Sequence, residues 1–153
     1  LYEGGLRIPL MIRVPGLTTA GTECAVPVDS TDLYPTLQAL CGLEAGTKER
    51  DGVSLEALLR APSGPGPERD LFFHFPHYYP TTTPVSAVRS GSWKLLEYLE
   101  DGRTELYDLR EDPVEARDVA AQAPDVARRL KARLEEWRRR VGARMPRPNP
   151  DYK

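Results

Sequence analysis

"SAVRSGSWKLLEYLEDGRTELYDL", residues 86 to 109, decides the fold. It holds three short extended runs, broken by "SGS" (90–92) and "EDGR" (100–103). The pair Asp101-Gly102 is a two-residue hairpin signal, because both residue types tolerate the backbone a tight turn between strands demands. An antiparallel meander is therefore predicted here. Just upstream, "DLFFHFPHYYP" (70–80) is aromatic and extended. Downstream, Pro124 and Asp125 start a helix, and Val126, Leu130, Leu134, Trp137 and Val141 recur every three or four residues along it. The tail "MPRPNPDYK" (145–153) is too proline-rich to continue that helix.

Before the meander the pattern changes. "APSGPGPERD" (61–70) cannot pack and reads as a surface loop, the one boundary in the chain. Ahead of it, "IPLMIRVP" (8–15) is apolar apart from Arg13, which predicts a strand buried on both faces and internal to a larger sheet, bracketed by Pro9 and Pro15. Thr22 to Ser30 reads as a second extended piece. A helix follows, capped by Ser30 or Thr31, with Asp32 and Pro35 in or near its first turn, Leu33, Leu37 and Leu40 on one face, and Gly42 as its C-terminal cap. Asp51 to Arg60 reads as a turn and a short helix capped by Ser54. The expected class is α/β, α+β within these residues, since strands alternate with helices only at the start.

The 153 residues, 40% hydrophobic, suffice for one domain with a real core. A charged fraction of 29% with a net charge of -2 gives no single-sign field of the kind that drives nucleic-acid binding. No apolar run approaches the ~20 residues of a membrane helix, and no secretory leader pattern opens the sequence. Cys24 and Cys41 lie in no C-x-x-C pair and read as small buried hydrophobes rather than a disulfide or reactive thiol. Fifteen prolines and twelve glycines, clustered between apolar segments, fit a loop-rich fold with short elements.

Four groups of residues could carry chemistry. Gly4 and Gly5, with Glu3 and Arg7 around them, would let a backbone approach a charged ligand, although an ordinary turn leading into a strand has the same composition. His74 and His77 lie in an aromatic segment; three apart in an extended chain, they face opposite ways unless Pro76 bends it, so two separate hydrogen-bonding roles are more natural than a shared metal. They read either as part of a structural aromatic patch or as a rim for a sugar-like or aromatic substrate. The basic run 127–140 is interleaved with Glu135 and Glu136 and reads as the solvated face of an amphipathic helix. Asp108, Glu111 and Asp112 lack the spacing of a dedicated calcium loop and read as a turn. The sequence has no G-x-S-x-G elbow, no phosphate loop and no H-E-x-x-H, so it contains no self-sufficient active site.

The ordered blocks "LYEGGLRIPLMIRVPG" (1–16), "VPVDSTDLYPTLQALCGL" (26–43), "DGVSLEALL" (51–59), "DLFFHFPHY" (70–78) and "SAVRSGSWKLLEYLEDGRTELYDLREDPVEARDVA" (86–120) resemble the C-terminal third of a formylglycine-dependent sulfatase. The sharpest pair is Y-E-G-G-x-R-x-P followed by D-x-x-P-T. The resemblance implies the end of an alkaline-phosphatase-like sheet (residues 1–60), a linker loop (61–69), a small subdomain with an antiparallel sheet and a long helix (70–145), and a tail (146–153). It implies sulfate-ester hydrolysis by a hydrated formylglycine beside a calcium ion, with a sulfated small molecule or carbohydrate as substrate and an extracytoplasmic location. Neither Cys24 nor Cys41 stands in a C-x-P-S-R or C-x-A-S-R motif. The family's nucleophile, metal ligands and catalytic histidines precede the Y-E-G-G block, and its sulfate-contacting lysine stands a few residues before it, so no catalytic or metal residue maps onto this sequence. Tyr2, Glu3, Gly4, Gly5 and Arg7 map onto the scaffold of the lysine-bearing loop, and His74 and His77 onto the substrate side. The alternatives are a non-catalytic binding or structural module of sulfatase descent and a related phosphoryl-transfer enzyme.

Overall fold

A computed structural model of the chain describes residues 1–44, 50–147 and 149–151. They form two compact units: Leu1–Ile8 with the residues from Arg69 onward, and Pro9–Glu68. The boundary near residue 69 falls where the proline- and glycine-rich loop ends. Leu1–Ile8, however, pack with the small sheet instead of with residues 9–60, because Tyr2 and Glu3 make polar contacts to that sheet.

The first unit is built on a four-stranded antiparallel sheet in sequential order. Its strands are β1 (Asp70–Phe75), β2 (Val85–Ser90), β3 (Trp93–Tyr98) and β4 (Thr104–Asp108). The two-residue turn is at Gly91-Ser92, closed by the pair Ser90 and Trp93, with Gly91 at φ +60° where a side chain is disfavoured. At Asp101-Gly102 the hairpin exists but its loop is longer. Leu99 to Gly102 lie outside the ladder; the Tyr98 N–H donates to the Arg103 carbonyl at 2.9 Å, and Gly102, at φ +72°, donates back to Tyr98 at 2.9 Å.

Register sorts the strands' side chains onto two faces. One carries Val88, Leu95 and Leu106, which pack with Leu130 and Leu134 of α4 (Pro124–Arg140). Phe72 lies parallel to Trp137 there, with ring centroids 5.0 Å apart. This helix matches its sequence periodicity, although Val141 is its exposed C-cap and Gly142, at φ +61°, ends it. Glu97, buried on the same face, pairs with Arg138 at 2.6 Å and Lys131 at 2.9 Å. The other face carries Val85, Ala87, Leu96, Tyr98 and Tyr107, against which Leu1 and Phe73 pack.

The second unit holds α2 (Leu33–Leu40) and α3 (Glu56–Arg60). Asp29, not Ser30 or Thr31, caps the first turn: its carboxylate accepts the Thr31 N–H, and Asp32 accepts the Asp29 N–H, each at 2.8 Å. Asp32 also accepts the Val53 N–H at 2.9 Å, and the Thr36 hydroxyl accepts the Leu55 N–H at 2.8 Å. These bonds put the polar side of α2 inward, so Asp32 and Thr36 are buried while Leu33 and Leu37 stay exposed, the reverse of the expected leucine face. Gly42, at φ +67°, closes the helix with the Leu43 N–H bonded to the Gln38 carbonyl, as its sequence position predicts. Leu55 is the N-cap of α3, and Ser54 stands one residue earlier, accepting the Glu56 N–H at 3.3 Å.

Two further expectations fail. Ile8–Pro15 forms no strand, and neither does Thr22–Ser30. A strand exists only where a neighbour takes its backbone hydrogen bonds, and among the described residues none pairs with these segments. Ile8 and Met11 are 77% and 92% exposed. Cys24 and Cys41 are free and exposed, not buried: Cys41 is the C-cap of α2 and Cys24 lies in an irregular segment, so neither reaches a core.

Candidate functional site

The Y-E-G-G segment becomes a single helical turn, α1 (Glu3–Leu6), on the face of the small sheet opposite α4. Alternation puts Lys94, Leu96 and Tyr98 of β3, and Glu105 and Tyr107 of β4, on that face. Apolar neighbours would normally fill such positions; here two polar clusters do, and each grips the turn.

The first cluster centres on Glu105. The Tyr2 hydroxyl donates to Glu105 Oε2 at 2.7 Å, Tyr107 at 3.0 Å and Tyr98 at 3.4 Å, while the Tyr2 and Tyr98 hydroxyls lie 2.9 Å apart. Arg103 bonds to Glu105 Oε1 and lays its guanidinium over the Tyr98 ring, 3.8 Å from the centroid. Burial first, then the Tyr98 hydroxyl and the Glu105 carboxylate, push the Tyr2 phenol well above the ordinary tyrosine range, and burial followed by the Glu105 carboxylate does the same for Tyr107 against a small opposing effect of the Tyr2 hydroxyl. Both stay protonated, as donors must.

The second cluster centres on Lys94, whose side chain is wholly buried. Its ammonium lies 2.9 Å from Glu3 Oε1 and 2.8 Å from Glu115 Oε1. The Glu3 contact is a hydrogen bond; the Glu115 contact is an ion pair by distance, its angle outside hydrogen-bond geometry. Glu115 Oε2 accepts the backbone N–H of Glu3 at 2.5 Å. Arg89, opposite Lys94 in the ladder, approaches Glu3 at 3.5 Å.

Past Glu3 the turn is open. A Cβ on Gly4 or Gly5 would meet nothing within 4 Å, so neither is glycine for reasons of local packing. Arg7 is exposed, and its guanidinium makes no hydrogen bond or ion pair among the described residues. The turn therefore presents bare backbone and a free cation.

His74 and His77 are not brought together. His74 Nε2 lies 2.9 Å from the Arg144 carbonyl, which only accepts, so Nε2 carries a proton; in the neutral ring Nδ1 then accepts from Ser86 Oγ at 2.8 Å. Its ring is fully engaged. His77 is exposed, its ring edge-on to Phe75 with centroids 5.4 Å apart, and it makes no hydrogen bond among the described residues. The acidic strip is a turn: Asp112 accepts the N–H groups of Ala116 at 3.1 Å and Arg117 at 2.8 Å, which hold its carboxyl below the usual range. No three His, Cys, Asp or Glu side chains among the described residues converge as a metal site, so the residues present do not fit a calcium ion.

Lys94, Glu105 and Glu115 escape a reading of sequence motifs. The signal for the first two was available in the period of two, which aligns Lys94 with Leu96 and Glu105 with Tyr107 on core-facing positions. Nothing local marks Glu115.

Residues 1–140 match the family model described as N-sulphoglucosamine sulphohydrolase, C-terminal. A sulfatase of Formosa agariphila is 32% identical over 152 residues, covering 89% of this chain and 28% of that protein. Human arylsulfatase A is 32% identical over 155 residues, covering 85% and 30%. The solved structure of a 2-O GAG sulfatase matches with a TM-score of 0.62 at 29% identity, over 73% of this chain and 25% of that one. The chain thus spans less than a third of the length of these relatives. The sheet and its helix agree with the sequence match, and the chain belongs to the N-sulphoglucosamine sulphohydrolase C-terminal family, among the sulfatases of the alkaline phosphatase superfamily.

Proposed function

We propose that these residues are the C-terminal part of a sulfatase that hydrolyses the sulfate ester of a small molecule or carbohydrate, water entering and an alcohol and inorganic sulfate leaving. The observation that carries this reading is the α1 turn. It is gripped from below by two buried polar clusters and open above, with two glycines that local packing does not require and an unpaired Arg7. That is how a turn is built when its backbone and its cation face an anionic ligand.

In this reading the formylglycine nucleophile and the calcium ligands come from residues outside these 153, and Tyr2, Glu3, Gly4, Gly5 and Arg7 scaffold the substrate side. Of the two histidines, His77 is free to contact substrate, while His74 fixes β1 to β2 through Ser86 and to the end of α4 through Arg144. Residues 9–60 complete the larger α/β domain. The location is extracytoplasmic and no nucleic acid is a partner.

The test is sulfate release by the complete protein, measured by ion chromatography, from an aryl sulfate and from O- and N-sulfated sugars. Hydrolysis of at least one ester is expected; release of phosphate from the matching phosphate esters with no sulfate release would overturn the reading.

A further inference from the structure

Lys94 is an improbable occupant of its position. It lies in the middle of β3, flanked by Trp93 and Leu95, with Tyr107 across the ladder, and its side chain reaches no solvent. A methionine would fill such a site without the desolvation cost of an ammonium. Lys94 stands between two carboxylates, Glu3 and Glu115, and Lys94 and Glu115 both act on Glu3 of the turn. Lys94 holds the Glu3 side chain, and Glu115 holds the Glu3 backbone N–H. Glu115 does so from φ +55°, the only described residue other than glycine in the left-handed region, a conformation that persists only where its surroundings impose it. A side chain and a main-chain atom of the same residue are thus fixed to the small sheet, just before the chain opens at Gly4-Gly5.

We propose that Lys94 and Glu115 are positioning residues: a buried clamp through which the small sheet sets the place of the α1 turn and, with it, the rate of sulfate-ester hydrolysis. The link to the reaction rests on the sulfatase reading above; the clamp itself rests on the geometry alone. The clamp is mechanical and touches no substrate. It explains why "SWKLLEY" and "EDPVEARD" occur in one chain with "YEGG": the three segments meet at Glu3.

The experiment uses the complete protein with three substitutions, Lys94→Met, Lys94→Arg and Glu115→Gln. Glu115→Gln keeps the size of the side chain and an acceptor for the Glu3 N–H while removing the charge, and it decides the matter if Lys94→Met does not fold. Two readouts are taken: hydrogen exchange of the peptide covering residues 1–8, and kcat/KM for a sulfate ester per folded molecule.

Faster exchange in residues 1–8, with β2 and α4 still protected, and a fall of about tenfold to a hundredfold in kcat/KM are expected for Lys94→Met. Glu115→Gln should move both in the same direction, and Lys94→Arg should recover part of both. Unchanged exchange in residues 1–8 in the folded variants would overturn the clamp. Faster exchange with unchanged kcat/KM would leave a structural clamp and overturn its role in the reaction. A wild-type protein that releases no sulfate would overturn the sulfatase reading and the catalytic role together, while the exchange data would still decide the clamp.

Discussion

Three tyrosine hydroxyls converge on one oxygen of Glu105, and each must remain protonated to donate to it. Because folding raises the pKa values of Tyr2 and Tyr107 above their unfolded value, the native protein binds more protons than the unfolded chain once the solution passes about pH 10. Their contribution to stability is therefore complete below about pH 10 and is lost as the pH rises beyond it. Thermal melting followed from neutral to strongly alkaline pH should show Tm falling in that range, and the double variant Tyr2→Phe/Tyr107→Phe should flatten the slope. At Lys94 the expectation concerns charge: Lys94→Met leaves Glu115 facing Glu3 with no cation between them and only Arg89, at 3.5 Å, beside Glu3, which should cost about 3–5 kcal/mol in chemical denaturation. None of these partners is adjacent in sequence, and the Glu3 and Glu115 carboxylates meet only because the sheet folds between them. Residue types showed charge at positions 3, 94, 105 and 115; the strand register puts Lys94 and Glu105 on the core-facing side, while only the tertiary contacts to Lys94 bring Glu3 and Glu115 to it.

Elements differ in how much of them their own residues determine. The last helix was legible because Leu130 and Leu134 recur at the helical period, Pro124 marks its start and the proline-rich tail cannot continue it; Leu134→Ala should cost about 2–5 kcal/mol, read from the urea midpoint. The meander was legible because "SGS" and "EDGR" break its extended runs, although loop length was not: Asp101-Gly102 signals a turn, and the ladder's register then decides that Leu99 and Glu100 belong to it as well. Segment 8–15 was misread because an apolar run states only that a strand is possible, and among the described residues no neighbour takes its backbone hydrogen bonds. The leucine face of α2 was misread because hydrogen bonds outrank the stripe there: Asp32 and Thr36 must face Val53 and Leu55 to satisfy them. Gly52 seals this clasp, since a Cβ there would stand 2.1 Å from the Thr31 carbonyl oxygen. Asp32→Ala should cost about 1–3 kcal/mol and expose the Val53 amide to exchange, and Gly52→Ala should lower Tm in the same direction by forcing the backbone apart.

At the scale of the whole molecule, two kinds of surface stand out. The α1 turn is held by the small sheet and open outward, and residues 8 to 11 leave Ile8, Leu10 and Met11 exposed. Exposed apolar chain with unpaired backbone groups is a template for association, so the 153-residue chain made alone should self-associate in sedimentation experiments, and Ile8→Lys with Met11→Lys should reduce it. The family was legible in the ordered succession of sequence blocks; how the small sheet grips the α1 turn was not, because that depends on contacts among residues about a hundred positions apart. The sulfatase proposed above takes its nucleophile and metal ligands from residues outside these 153, which position its substrate side. The most direct measurement is sulfate release from one ester by the complete protein and, in parallel, by residues 1–153 alone. Turnover by the complete protein and none by the shorter chain is the expected result; sustained turnover by residues 1–153 alone would contradict the account.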